Sequence, residues 1–124
     1  MNYEEALSYL EGLNIFGIKL GLDRINRLLE LLDLPQNRYR TIHVTGTNGK
    51  GSVSAMLAGI LQHSGIHTGF YSSPHLVSYT ERMRVDGQSI SEEEFAHCLS
   101  TIRVYVDQMV AEGSESPTQF EVLT

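Results

Sequence analysis

The sequence predicts an α/β fold whose parallel sheet carries phosphate chemistry at the C-terminal ends of its strands. Three observations predict it. A short segment at 39–44, with β-branched Ile42 and Val44, fits a buried strand and runs into the glycine-rich Thr45-Gly46-Thr47-Asn48-Gly49-Lys50-Gly51-Ser52. Val53, Met56, Leu57, Ile60 and Leu61 then recur at helical spacing, with Gly65 placed to end the helix. A second strand candidate at 67–71 completes a β-α-β order. Two core strands are too few for such a sheet, so the chain reads as part of a longer protein.

The other elements follow in order. Residues 3–12 predict a short helix with Leu7 and Leu10 on one side, followed by a loop at 14–19. A stronger helix spans about 22–34, with Leu22, Ile25, Leu29 and Leu32 as its buried stripe and Pro35 closing it. After the second strand, Ser72-Ser73-Pro74-His75 and a polar stretch lead to a hairpin. There Asp86-Gly87 turns between Arg84-Val85 and Ser89-Ile90. Ser91 and Glu94 predict the capping box of a long helix that buries Phe95, Leu99, Ile102, Val106 and Met109–Val110. Past a solvated loop at 113–116, Ser116, Pro117 and Gln119 mark the start of a last helix. Its apolar run, Phe120, Val122 and Leu123, stops in mid-course, which again indicates an N-terminal fragment.

Composition narrows the function. Apolar residues make up 41% and charged residues 19%, ordinary for a globular domain. A net charge of −6 argues against a nucleic-acid surface, because no basic stripe collects phosphates. The lone Cys98 excludes an internal disulfide and suits a reducing cytoplasm; it fits a small apolar residue on a helix face. No stretch approaches the ~20 apolar residues that span a bilayer, and the N-terminus has no signal-peptide pattern.

A strand, a glycine turn with a lysine and a helix make a site for polyphosphate. Glycines let the backbone approach the anion, and the helix N-terminus adds its N–H groups and dipole. Lys50 supplies a mobile charge for the outer phosphates, and Ser52 suits Mg²⁺ or a phosphate oxygen. The spacing departs from the general phosphate-loop pattern. Two residues separate Gly46 from Gly49-Lys50, and Gly51 stands between Lys50 and Ser52. An ordinary Gly/Asn turn between strand and helix is the alternative.

The glycine run, Tyr71-Ser-Ser-Pro-His-Leu76, Tyr79-Thr-Glu-Arg-Met-Arg-Val-Asp86, Phe120-Glu121 and Gly17-Ile-Lys-Leu-Gly-Leu-Asp-Arg24 together resemble folylpolyglutamate synthase and the bifunctional dihydrofolate synthases. These belong to the Mur-ligase superfamily. The resemblance implies a phosphate-loop, three-layer Mur-ligase ATPase domain with a parallel central sheet, of which residues 1–124 are the front part. It implies an ADP-forming ligase that adds L-glutamate to a folate or dihydropteroate through an acyl phosphate, with ATP and Mg²⁺ as cofactors. Asn48, Gly49, Lys50, Gly51 and Ser52 would hold the ATP phosphates, with Lys50 also catalytic. Ser73 and Glu121 would ligate the metal, and Leu20, His75 and Arg82 would contact substrate. A cytoplasmic monomer, without nucleic-acid or membrane partners, is expected.

Each assignment has an ordinary counterpart. Ser72-Ser73-Pro74 also fits a turn, Glu121 a dipole complement, and Arg82 a solvated charge or a partner for Glu81. His75 also fits an exposed loop histidine without a role, Leu20 an ordinary loop residue, and His43 one that packs or hydrogen-bonds. The family's metal-binding histidine, carbamylated lysine and glutamate-binding domain would lie beyond Thr124, so residues 1–124 alone are expected not to turn over. The competing functions are a peptidoglycan-type amino-acid ligase and a non-catalytic nucleotide-binding module.

Overall fold

The computed structural model describes residues 1–124 in two units, Met1–Arg40 with Glu93–Thr124, and Thr41–Glu92. The first is helical. It holds α1 (Tyr3–Leu13), α2 (Asp23–Leu31), nearly all of α4 (Glu92–Ala111) and α5 (Gln119–Leu123). Apolar side chains at helical spacing face inward: Ala6, Leu10 and Leu13 from α1, Leu28 from α2, and Phe95, Leu99, Val106 and Met109 from α4. Val122 and Leu123 of α5 join them, so the apolar run at the end of the sequence has partners within the chain. Tyr3 meets Phe95 edge-on, with ring centroids 5.7 Å apart.

Two helix boundaries here differ from the sequence reading. The second helix ends at Leu31 rather than 34, because Asp33 and Leu34 turn left-handed (φ 63° and 49°). Asp33 N–H then bonds to Glu30 carbonyl and Leu34 N–H to Leu29 carbonyl, a Schellman closure that satisfies the last carbonyls. Pro35 begins a separate 3₁₀ turn, Pro35–Arg38. The buried stripe also rotates: Leu28 is buried, whereas Leu22, which precedes the helix, is exposed. At α5 the cap is Thr118 with Glu121, not Ser116 with Gln119, since Thr118 has the extended backbone that aims its hydroxyl at Glu121 N–H. Pro117 lies buried ahead of the helix.

The second unit contains the glycine loop, α3 (Lys50–His63) and a three-stranded sheet, β1 (Gly69–Tyr71), β2 (Met83–Val85) and β3 (Gln88–Ser89). Gly65 ends α3 as expected, in the left-handed region (φ 83°), with Ile66 N–H bonded to Leu61 carbonyl. The Asp86-Gly87 hairpin also forms. Both residues take positive φ, 49° and 84°, as the two-residue turn that matches strand twist requires.

The strand expected at 39–44 does not form. The segment pairs with none of β1–β3, and Ile42 is 61% exposed. Branched side chains favour extended backbone, but a strand also needs a lateral partner for its N–H and C=O groups. His43 is accordingly exposed rather than packed. β1 instead runs antiparallel to β2, with Phe70 opposite Arg84, so the chain's own ladder is not the parallel pair of the β-α-β reading. No helix is long and apolar enough to cross a membrane.

Candidate functional site

Residues 45–49 form an irregular loop that delivers the chain into α3. Gly49 is the N-cap, at φ 73° and ψ 0°, a conformation glycine adopts without a steric penalty. No side chain caps α3, and no acidic residue occupies its first turn. Its first-turn N–H groups therefore meet no side-chain acceptor, and the positive end of the helix dipole is open. The Lys50 ammonium donates to the Gly46 carbonyl at 3.2 Å, which keeps a full charge over the loop and out of any apolar interior. Asn48, Gly51 and Ser52 are exposed on the same stretch. An anion here would meet backbone donors, a dipole end and an ammonium group together.

Three other helical starts in the chain are closed by their own side chains. Asn2 and Glu5 cap α1, Ser78 and Glu81 cap the 3₁₀ turn Tyr79–Arg82, and Thr118 and Glu121 cap α5.

The segment after β1 brings together two of the predicted substrate contacts. Arg82 Nε donates to His75 Nδ1 at 2.8 Å, which assigns the ring's own proton to Nε2. Tyr79 lies beside both, its ring centroid 4.2 Å from that of His75 and 5.2 Å from the Arg82 guanidinium carbon. Arg82 is thus paired with His75 rather than with Glu81. The Glu81 carboxylate turns to the backbone and accepts from the N–H groups of Leu76, Val77 and Ser78 at 2.7–3.2 Å. Those bonds, Ser78's foremost, hold its pKa below the usual carboxylate value. Ser73 is exposed, and its peptide bond to Pro74 is cis. Leu76 and Val77 project almost wholly into solvent.

Glu121 and Leu20 belong to the helical unit and share one partner, Arg24. Its Nε donates to Glu121 Oε2 and its Nη2 to Oε1, both at 3.1 Å, a bidentate grip on a buried carboxylate. Thr118 N–H adds a third donor to Oε2 at 2.8 Å. Burial pushes the Glu121 pKa up, but the Arg24 and Thr118 hydrogen bonds outweigh it and leave the value lowered. Arg24 Nη2 also reaches the carbonyls of Lys19 and Leu20, at 3.1 and 3.5 Å. Leu20 itself is 93% exposed.

A carboxylate is a hard oxygen donor of the kind Mg²⁺ prefers, but both oxygens of Glu121 are already engaged by Arg24 and Thr118. Ser73 offers an exposed hydroxyl. No cluster of three or more His, Cys, Asp or Glu side chains exists in the chain, so no complete metal centre is assembled from it. A surface cavity of about 620 Å³, lined in part by Met1, Glu5, Tyr9 and Arg103, contains none of the predicted site residues.

The sequence reading missed Arg24 and Tyr79 as members of these clusters. Tyr79 was accessible through its spacing from His75 and Arg82, close in sequence. Arg24 and Glu121 are 97 positions apart, and no local pattern links them.

The chain is thus an α/β protein with a glycine-capped, otherwise uncapped helix and a lysine returned over its loop. No protein-family model matches the chain. It is 36% identical over 122 residues to the dihydrofolate synthase/folylpolyglutamate synthase of Bacillus subtilis, an alignment covering 98% of this chain and 28% of that protein. The solved folylpolyglutamate synthetase of Lactobacillus casei superposes with a TM-score of 0.91 at 32% identity, over 99% of this chain and 31% of that one. An FPGS–AMPPCP–folate complex superposes with a TM-score of 0.88 at 32% identity, over 99% and 30%. Along its whole length, the chain is homologous to a segment of the folylpolyglutamate synthase/dihydrofolate synthase family and shares its α/β fold. It spans less than a third of the length of these relatives.

Proposed function

We propose that this chain supplies the nucleotide-gripping segment of an ATP-dependent ligase that joins L-glutamate to a folate or dihydropteroate. The observation that carries the reading is the open start of α3 behind Gly49, with Lys50 drawn over the loop, in a chain homologous to folylpolyglutamate synthases. One such relative has been solved with AMPPCP and folate. No other helical start bears both an open dipole end and a lysine.

In this reading the N–H groups at Asn48–Ser52 hold the phosphates, and Lys50 leaves the Gly46 carbonyl to follow charge on the transferring phosphoryl group. A carboxylate of the pteridine substrate takes the phosphoryl group, and the glutamate amine then displaces phosphate. Ser73 and Glu121 are the chain's candidate ligands for Mg²⁺, which would supply charge neutralisation at the phosphates. The pair of His75 and Arg82, with Leu20, is assigned to the pteridine side. Arg82 retains N–H groups beyond the one given to His75, enough to meet a substrate carboxylate. A monomeric state and a cytoplasmic setting belong to the same proposal and rest on the family likeness.

Replacing Lys50 with Ala in the full-length protein tests it. Ligation of glutamate to dihydropteroate or a folate should fall about 10²–10³-fold. Unchanged turnover would remove the lysine from the chemistry, and turnover only with nucleotide-linked sugars would move the protein to the peptidoglycan-type ligases.

A further inference from the structure

We propose that Arg24 is a positioning residue that ties the candidate cation ligand Glu121 to the loop carrying Leu20. The inference rests on the ligase reading above. One guanidinium makes both connections: Nε and Nη2 span the two carboxylate oxygens of Glu121, while Nη2 also reaches the Lys19 and Leu20 carbonyls. The Arg24 side chain is 11% exposed and that of Glu121 9%, so neither group is free to wander.

An ion pair that only joined α2 to α5 would need the first connection alone. The second converts a backbone segment with exposed Ile18 and Leu20 at its surface into one of fixed position relative to the carboxylate. With both carboxylate oxygens held by Arg24 and one also by Thr118 N–H, the orientation of the carboxylate is set by the guanidinium plane. Lysine cannot replace this grip, because an ammonium is a point charge without a planar fork. Cation binding at Glu121 and substrate contact at residues 17–22 are therefore linked through Arg24.

The test uses the full-length protein with Mn²⁺ as a spectroscopic substitute for Mg²⁺ and AMPPCP as nucleotide. In R24K, the Mn²⁺ dissociation constant should rise about 10–100-fold, as for loss of an outer-shell partner. Amides at 17–22 should lose hydrogen-exchange protection in the same variant. In R24A, ethylguanidinium should restore Mn²⁺ binding and ethylammonium should not. A folded R24K that binds Mn²⁺ as wild type does, or keeps its loop protection, overturns the positioning role. If both variants fail to fold, the unmutated protein decides: the Arg24 Nε–H resonance should shift when Mg²⁺ and AMPPCP are added, and a static resonance overturns the proposal. Wild type that binds no Mn²⁺ with AMPPCP overturns the ligase reading and this inference with it. Wild type that binds while R24K matches it overturns this inference alone.

Discussion

The two units of the chain stabilise themselves in different ways. Every buried apolar side chain belongs to the helical unit, and residues 41–92 contain none. In the second unit, α3 leaves Val53, Met56 and Ile60 exposed, and order comes instead from hydrogen bonds. Gln62 Nε2 donates to the Asp86 carbonyl at 2.7 Å, Thr68 N–H donates to the Asp86 carboxylate at 2.8 Å, and three amides converge on Glu81. Helix starts differ as well, though not strictly by unit. In the helical unit α1 and α5 are capped by side chains of their own although α2 is not, and in the other unit the turn at Tyr79–Arg82 is capped while α3 begins on glycine and keeps its donors open. The lesson is a division of labour. A closed core gives a rigid scaffold, and a helix start proposed to receive an anion, as at α3, cannot also satisfy its own N–H groups.

The contrast can be broken most forcefully in the core. Leu10→Ala should destabilise the protein by about 2–5 kcal/mol, since it empties a fully buried site, whereas Met56→Ala on α3 should change stability by no more than about 0.5 kcal/mol. Denaturant midpoints of the two variants measure the difference, and equal losses would erase it. A smaller effect separates the helix starts. Thr118→Ala should cost about 1 kcal/mol, because it removes the acceptor for Glu121 N–H. Lys50→Ala, at the uncapped start, should leave the denaturation midpoint within about 0.5 kcal/mol of wild type while activity collapses.

The smallest effects are in pH. Glu112 and Glu121 in the helical unit, and Glu81 and Asp86 in the other, all have lowered pKa values. Their contribution is complete above the carboxylate value of the unfolded chain and fades as pH falls through the lowered folded values, so acid weakens both units. Alkali should weaken the helical unit. Burial, then the Asp107 charge, pushes the Tyr9 phenol from 10.0 to about 12. Between those values the unfolded chain gives up a proton that the folded one retains, so stability falls as pH rises through that window. Phenolate absorbance should include a component near 12 in wild type that is lost in Tyr9→Phe.

Several of these features were readable before any coordinates. Gly65 at the end of α3, the Asp86-Gly87 turn and most of the expected face of α4, Phe95, Leu99, Val106 and Met109 but not the exposed Val110, each follow from interactions within a few residues. Backbone preference and helical period act at that range. The failures came where a distant partner decides. Residues 39–44 have the composition of a strand yet lack a neighbour to pair with, and β1 found an antiparallel partner in β2. Leu28 displaced Leu22 from the buried stripe because α2 starts later than its apolar pattern suggests.

The candidate site divides along the same line. The glycine cradle with its lysine lies within one stretch of eight residues, so its chemistry could be written from composition and order alone, through the conformational freedom of Gly49 and the dipole of the helix behind it. The pairing of His75 with Arg82, and above all the grip of Arg24 on Glu121, required folded geometry. Hydrogen bonds hold only over about 3 Å with proper alignment, and nothing in a linear chain says which residues will come that close across 97 positions.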